Sequence, residues 1–146
     1  MKKSIKIRSA KESDYVAIEK LLQSVDLPIE GVKEYLQHFI IMENDGKMIG
    51  VVGLEVYGNK ALLRSLAVVG EAHGLGLGKM LYNKILEKAR QLHVDEIYLL
   101  TETAEAFFTR QGFVHISRDA VDSHVKKSVE FQSVCPESAA CMRLKL

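Results

Sequence analysis

The sequence lacks an excess of charge of either sign. Its 146 residues include 20 basic and 19 acidic side chains, which leaves a formal net charge of +1. Proteins that neutralise the phosphates of a nucleic acid or an anionic membrane typically carry a basic surplus. We therefore expect neither a nucleic-acid partner nor a membrane partner.

Cysteines and long apolar runs are also scarce. The two cysteines are too few for a disulfide scaffold, and a reducing compartment would keep them as thiols. The basic segment 1–8 alternates polar with apolar residues and lacks the apolar core of a signal peptide, and no apolar run reaches membrane-spanning length. These features predict a cytoplasmic protein. The five histidines show no spacing typical of metal ligands, so no metal site is predicted.

The length and composition of the chain are those of one globular domain. A chain with 47% hydrophobic and 27% charged residues can bury about two thirds of its unfolded surface in a single core. The sequence contains no repeat, linker or low-complexity tract. We therefore expect residues 1–146 to form one domain.

The first half of the chain is typical of an antiparallel meander. Alternating apolar and charged residues predict a first strand over 4–8, and helical spacing predicts a helix over 15–25 after Ser13-Asp14. A second short helix is expected to begin near Pro28. Further strands are predicted over 39–42, 48–56 and 61–69, joined by turns at 44–47 and 57–60.

The second half changes to an alternation of helices and strands. A helix is predicted over 79–91, a strand over 96–101, a short helix over 104–111 that ends at Gly112, and strands over 113–117 and 142–146. Segment 118–134 is ambiguous, although three valines in it follow helical spacing. The whole pattern predicts a mixed α/β (α+β) fold.

A glycine-rich turn lies between a predicted strand and a predicted helix. Glycines there leave backbone N–H groups open to an anion at the positive end of the helix dipole. The spacing does not match G-x-G-x-x-G, and a P-loop would need glycine at His73 and serine or threonine at Met80. The alternative is a tight turn with no ligand. The turn consists of His73, Gly74, Leu75, Gly76, Leu77, Gly78 and Lys79.

Two ordered landmarks resemble the GNAT superfamily of acyl-CoA-dependent N-acyltransferases. The strand residues Leu66-Ala67-Val68 precede the glycine turn, in which His73, Gly76 and Gly78 align with the signature Gln/Arg-x-x-Gly-x-Gly/Ala. The second landmark, Ala-x-x-aromatic-aromatic-x-x-x-Gly-Phe, is matched by Ala104, Phe107, Phe108, Gly112 and Phe113. The resemblance extends over essentially the whole chain.

The resemblance implies a fold and an acyl donor. It implies a mostly antiparallel central sheet of six to seven strands with helices on both faces, and acetyl-CoA as the donor. The backbone of Leu66 and Val68 would pair with the pantetheine arm, and the amides of 74–79 would hold the pyrophosphate. The implied cofactor-binding residues are Leu66, Ala67, Val68, His73, Gly74, Leu75, Gly76, Leu77, Gly78, Lys79, Thr101 and Phe108.

Three positions depart from the family pattern. His73 replaces the usual glutamine or arginine, so a permanent cation is lost unless the imidazole is protonated. Phe108 stands where many members carry the tyrosine that protonates the departing CoA thiolate, and Thr101 replaces a frequent asparagine. Without that hydroxyl, the reaction would use another donor or release CoA as thiolate, since a thiol is a fairly acidic leaving group.

Polar residues on the predicted strands are the candidates for chemistry. Glu55, within an otherwise apolar strand, is a candidate general base, directly or through water; the alternative is a solvent-facing glutamate. Arg64 is a candidate ligand for an acid group of the substrate; the alternative is an ion pair, with Glu55 as one partner. Tyr57 and Tyr98 are further candidate proton donors.

Several short segments resemble the GNAT subgroup found in arsenic-resistance operons, which suggests a detoxifying N-acetyltransferase. In that setting Arg64 would bind the acid group of an arsenic-containing amino acid. The spacing of the two cysteines could also form a disulfide or a site for a thiophilic metalloid, against the alternative of ordinary thiols. The segments are 26–28, 30–31, 53–58, 62–65, 135–136 and 141–142.

The leading hypothesis is an acetyl-CoA-dependent N-acetyltransferase that acts on the amine of a small molecule or amino acid. One alternative is an acyl-CoA-binding regulatory or interaction module without catalysis, favoured by His73 and Phe108. Another is a protein N-acetyltransferase. Exposed edge strands make a homodimer a further expectation.

Overall fold

Seven strands form one sheet in the computed structural model, which describes residues 5–72, 74, 76–134 and 138–146. Their order across the sheet is β1-β2-β3-β4-β5-β7-β6. Within the described residues, β4 and β5 form the one parallel pair and the other neighbours are antiparallel. The strands are β1 (Ile5–Ser9), β2 (Phe39–Asn44), β3 (Lys47–Tyr57), β4 (Lys60–Val68), β5 (Glu96–Thr101), β6 (Val114–His115) and β7 (Ala140–Lys145).

In the part of the chain that the structure describes, three α-helices accompany the sheet: α1 (Tyr15–Ser24), α2 (Leu77–Gln91) and α3 (Glu105–Arg110). Segment 118–134, which was ambiguous in the sequence, forms short separate turns rather than one helix. Five 3₁₀ turns and one π-helix complete the described structure: Glu12–Asp14, Lys33–His38, Gly70–Ala72, Arg118–Ala120, Val125–Lys127 and the π-helix Glu130–Val134.

Helices cover both faces of the sheet, as the predicted fold requires. On one face, Leu81 and Ile85 of α2 pack with Leu54 of β3. On the other, Ile18 and Leu22 of α1 pack with residues of β2 and β3. The mixed, mostly antiparallel α/β fold with seven strands is therefore confirmed. No helix in the described part of the chain is long and apolar enough to cross a membrane.

The hairpin turn between β2 and β3 follows the sequence prediction. Asp45 and Gly46 both have positive φ, 54° and 80°, which is the conformation that two-residue hairpin turns require. The turn places Lys47 opposite Asn44 in the ladder. It therefore sets the register at the start of β3, and a register shift between Met42 and Glu43 changes the pairing further along the ladder.

Candidate active site

A cleft opens in the sheet where β4 and β5 separate. The parallel ladder joins Lys60–Leu62 to Glu96–Tyr98 and ends there, although both strands continue. The cleft has a volume of about 240 Å³ and is lined by several of the predicted cofactor-binding residues. Leu66, Ala67 and Val68 of β4 line it together with Thr101 at the end of β5 and Phe108 of α3.

A β-bulge in β4 lies at the mouth of this cleft. Gly53 pairs with Arg64 and Val51 pairs with Ala67, so two residues of β4, Ser65 and Leu66, oppose a single residue of β3. Ser65 has φ of 64°, which is uncommon for a residue other than glycine. Bulges of this kind re-aim side chains and often lie beside active sites.

The described residues of the glycine turn lie at the start of α2 and are not among those that line the cleft. His73 and Leu75 lie outside the described residues. Gly74 and Gly76 have φ of 84° and 75°, and Gly76 immediately precedes the helix, whose first turn holds the buried Leu77 and the exposed Lys79.

Among the residues that the structure describes, nothing in the conformation or packing of Gly78 requires glycine. Its φ lies outside the left-handed region, and a Cβ there would meet no described heavy atom within 4 Å, apart from its chain neighbours and helix backbone. Glycine inside a helix costs about 0.5–1 kcal/mol relative to alanine. The open space next to the first-turn N–H groups fits the pyrophosphate of acetyl-CoA.

We expect Gly78→Ala to have opposite effects on stability and on cofactor affinity. Because alanine favours the helix, the free energy of unfolding without ligand should rise by about 0.5–1 kcal/mol. Because the methyl group occupies the ligand's space, the Kd for CoA should rise roughly tenfold, a loss of about 1.4 kcal/mol. Chemical denaturation and calorimetric titration measure the two quantities.

Gly70→Ala provides the matched control, since Gly70 also has no left-handed φ and no described heavy atom near an added Cβ. It should leave the Kd for CoA unchanged. An unchanged Kd in Gly78→Ala as well would mean that the turn does not hold the pyrophosphate.

Glu55 and Arg64 form a buried ion pair on one face of the sheet. Arg64 Nη1 lies 2.7 Å from Glu55 Oε2, and the two residues are 3% and 1% exposed. The ion pair with Glu55, which was the alternative to a ligand-binding role for Arg64, is therefore present. The alternative for Glu55, a solvent-facing glutamate, is not what the structure shows. The predicted roles of Glu55 as a base and of Arg64 as a ligand for an acid group stay predictions.

Sequence reasoning missed Glu130, the third member of this cluster. Glu130 Oε2 lies 3.2 Å from Arg64 Nε, and Glu130 is 4% exposed. Arg64 also donates from Nη2 to the carbonyl oxygen of Pro28 at 3.2 Å and from Nε to Ser65 Oγ at 3.1 Å. The only signal in the sequence was a glutamate between Val129 and Phe131, which short apolar patterns do not distinguish from a surface residue.

A larger cavity of about 870 Å³ adjoins the cleft. Arg64, Ser65 and Thr101 line both spaces, so the cavity and the cleft meet at the bulge. The loop after α1 forms one wall of the cavity, and Glu130 contributes to its lining. The arrangement provides a cleft for a thioester arm and a cavity for a second molecule.

A second, smaller cavity of about 270 Å³ lies on the other side of the ion pair and is bordered by Glu55 and Tyr57. The Tyr57 hydroxyl donates a hydrogen bond to Glu55 Oε1. Burial raises the pKa of Tyr57, and this hydrogen bond raises it further. Tyr98 is similar, since burial raises its pKa and its hydroxyl donates to Glu96 at 2.8 Å. Both phenol groups are therefore weaker acids than an ordinary tyrosine, and each donates a hydrogen bond to a carboxylate.

Thr101 and Phe108, two of the residues that depart from the family pattern, both line the cleft. Phe108 is buried and lines the cleft without a hydroxyl group. Thr101 Oγ1 accepts a hydrogen bond from the Ala104 N–H at 2.9 Å and thereby fixes the turn between β5 and α3. The side chain at position 101 thus has a structural partner within its own loop.

The structure describes one of the two cysteines, Cys141. Cys135 lies outside the described residues, so neither the disulfide nor the metalloid site is tested. Cys141 is a buried free thiol, and burial raises the pKa of that thiol, which lowers its reactivity. Among the residues that the structure describes, no three or more His, Cys, Asp or Glu side chains could hold a metal ion together.

A split between two parallel strands, a bulge beside it and a glycine turn at a helix start together define a CoA-dependent acyltransferase fold. The family model described as the acetyltransferase (GNAT) family matches residues 8–113. The chain belongs to this family, and its acyl donor is acetyl-CoA.

Relatives in two bacteria resemble the chain over most of its length. An uncharacterised N-acetyltransferase of Chlorobaculum tepidum is 26% identical over 92% of this chain and 90% of its own length. An amino-acid acetyltransferase of Mycobacterium tuberculosis is 29% identical over 82% of this chain and 74% of its own.

Solved structures show the same fold. A Mycobacterium tuberculosis protein in complex with CoA superposes with a TM-score of 0.81 at 27% identity and covers 97% of this chain and 99% of its own. N-acetylglutamate synthase from Neisseria gonorrhoeae, complexed with coenzyme A and N-acetyl-glutamate, superposes with a TM-score of 0.83 at 22% identity. This chain spans 35% of that longer protein. The chain is therefore an acetyl-CoA-dependent acyltransferase.

Proposed function

We propose that the protein transfers the acetyl group of acetyl-CoA to the amino group of a free amino acid or a similar small amine. The observation that carries this proposal is the 870 Å³ cavity that meets the cleft at the bulge. A cavity of this volume accommodates a small molecule. The amino-acid acetyltransferase among the relatives supports the same class of acceptor.

The geometry suits attack on a thioester at the bulge. Acetyl-CoA supplies an activated acyl carbon when it is bound in the cleft. The bulge at Ser65 interrupts the β3–β4 ladder next to the cavity, and backbone N–H groups released from a ladder are the donors that an oxyanion requires. The walls of the cavity would hold the amine close to that point, which supplies the proximity that bimolecular transfer needs.

Detoxification is the more specific form of the proposal. The segments that resemble the arsenic-resistance subgroup support an acceptor such as an arsenic-containing amino acid, with its acid group near Arg64. Location in the cytoplasm and assembly as a homodimer stay predictions; β1 and β6 lie at the two edges of the sheet, where a second copy could pair.

The function is tested by measuring amine-dependent release of the CoA thiol. We expect saturable release of the CoA thiol with at least one of L-glutamate, L-glutamine, L-arginine or an arsenic-containing amino acid. If the role is detoxification, kcat/KM should be higher for the arsenic-containing amino acid than for the other three. A short peptide with a free N-terminus serves as the comparison acceptor. Preference for the peptide would contradict the proposal, and so would CoA binding with no release on any amine.

A further inference from the structure

The cleft between β4 and β5 is closed at the end that lies away from α2. The last pair of the parallel ladder is Leu62 with Tyr98, so the two strands separate beyond these residues. Leu63 and Leu99 come next on the two strands, and both line the cleft. They therefore form its inner end, whereas the other end follows β4 toward the start of α2.

The inner end of the cleft is apolar because its side chains belong to the core on the α2 face of the sheet. Leu63 and Leu99 are 3% and 1% exposed, and they pack in the same cluster as Phe108. Their chain neighbours Leu62 and Tyr98 pack in a different cluster, as the alternation of side chains along a strand requires. An apolar group can enter this end without penalty, whereas a polar group would lose its hydrogen bonds to water.

Phe108 gives the inner end a rigid side wall. The centroid of its ring lies 5.1 Å from that of Phe107, 5.3 Å from that of Phe113 and 6.2 Å from that of Tyr82. The interplanar angles of 84°, 67° and 68° are those of favourable edge-to-face pairs. A well-packed core resists the insertion of extra methylene groups, so a longer chain could displace this wall only by breaking these contacts.

The bulge lies close to the inner end. Ser65 and Leu63 are two positions apart on β4, which corresponds to about 7 Å of strand at the usual rise per residue. A thioester at the bulge has two spaces for its acyl chain, the inner end of the cleft and the larger cavity lined by Arg64 and Thr101. An acyl chain in the larger cavity would take the space of the acceptor, which leaves the inner end for the acyl group.

We propose that Leu63, Leu99 and Phe108 form a closed acyl pocket that selects acetyl-CoA over longer acyl-CoA thioesters. The proposal goes beyond the proposed function because it concerns the acyl donor and holds for any acceptor amine. One methylene group too many in an apolar pocket is worth roughly 10- to 200-fold. The three side chains are therefore specificity-determining residues of the donor site.

The test measures the Kd of acetyl-CoA, propionyl-CoA and butyryl-CoA by calorimetric titration in the absence of an acceptor. For the wild type, the Kd of propionyl-CoA should exceed that of acetyl-CoA roughly tenfold or more, and the Kd of butyryl-CoA should be higher still. The ratio of the propionyl-CoA Kd to the acetyl-CoA Kd is the quantity to compare among variants. Contacts that all three donors share cancel in this ratio.

Leu63→Ala should lower this ratio roughly tenfold, because it creates space for the extra methylene group at the inner end. Phe108→Leu keeps an apolar side chain in the core and opens the side wall instead, so it should lower the same ratio. It is the milder substitution, and it decides the question if Leu63→Ala does not fold.

Two buried residues of the same core cluster provide matched controls. Leu81 and Phe113 are 0% and 2% exposed, and neither is among the residues that line the cleft. Leu81→Ala and Phe113→Leu should lower the melting temperature, as core truncations do, and leave the ratio of Kd values at that of the wild type.

Three results would overturn the acyl pocket. The first is a wild type that binds butyryl-CoA as tightly as acetyl-CoA. The second is an unchanged ratio in the folded cleft variants, and the third is an equal change in the control variants, which would indicate a general loosening of the core. A wild type that shows the expected ratio but acetylates no amine would contradict the proposed function and leave the acyl pocket intact.

Discussion

Replacing Arg64 with methionine is expected to lower the free energy of unfolding by about 3–5 kcal/mol, the cost of removing one partner from a buried ion pair. The reason is that Glu55 and Glu130 would remain buried without their shared cation. Methionine preserves much of the side-chain volume, so the loss reports on charge more than on packing. Urea denaturation followed by circular dichroism measures it.

Arg8 provides a matched control because it also bridges two carboxylates. It lies 2.9 Å from Asp14 and 2.8 Å from Glu43, but its side chain is 29% exposed. Water can solvate the carboxylates that remain, so Arg8→Met should cost only about 1 kcal/mol. Equal losses in the two variants would mean that burial of the Arg64 cluster is not what makes it important.

Arg64→Lys separates stability from substrate binding. Lysine retains the charge but not the fork of donors that contacts Glu55, Pro28 and Ser65. If Arg64 binds an acid group of the acceptor, the KM for an acidic amino acid should rise while the Kd for CoA stays constant. A change in melting temperature alone would assign Arg64 a purely structural role.

Gly53→Ala should destabilise the protein by about 3 kcal/mol, the upper end of the usual cost of overpacking a core. A Cβ at this position would lie 2.3–2.5 Å from three ring carbons of Phe39, which pairs with Gly53 across β2 and β3 and is fully buried. Backbone strain plays no part, since Gly53 has no left-handed φ. The measurement is again the free energy of unfolding in urea.

A double variant tests whether contact with the Phe39 ring causes the loss of stability in Gly53→Ala. Phe39→Leu removes the ring, so Phe39→Leu with Gly53→Ala should cost less than the sum of the single variants. Gly70→Ala, which would meet no described heavy atom within 4 Å, should stay within about 0.5 kcal/mol of the wild type. Strict additivity would contradict a direct clash between residues 39 and 53.

The elements of the fold were largely predictable because they depend on local patterns. The prediction for β5 matches Glu96–Thr101 at both ends, and α2 begins two residues before the predicted start. One detail at the start of α1 differs from a simple helix cap. Asp14, which directly precedes the helix, makes no side-chain cap to α1 and instead pairs with Arg8 and accepts from the Lys11 N–H. These partners lie six and three residues away, so this difference is also local.

The candidate site was predictable only in part. Glu55 and Arg64 were identified because charged residues interrupt apolar strands, and their pairing follows from the β3–β4 register, in which Gly53 opposes Arg64. Glu130 had no such signal. Its segment follows no period that continues over several turns, and its position depends on how the chain returns from β6 to β7.

The sequence by itself determined the family, the order of strands and helices, and the glycine turn before α2, because each depends on residues close together in the chain. Only the tertiary structure decided which charges meet. The separation of β4 from β5 creates the cleft, the bulge at Ser65 lies between cleft and cavity, and Arg64 contacts residues 9 positions before it and 66 positions after it. Such contacts form because buried charges must find partners, wherever along the chain those partners lie.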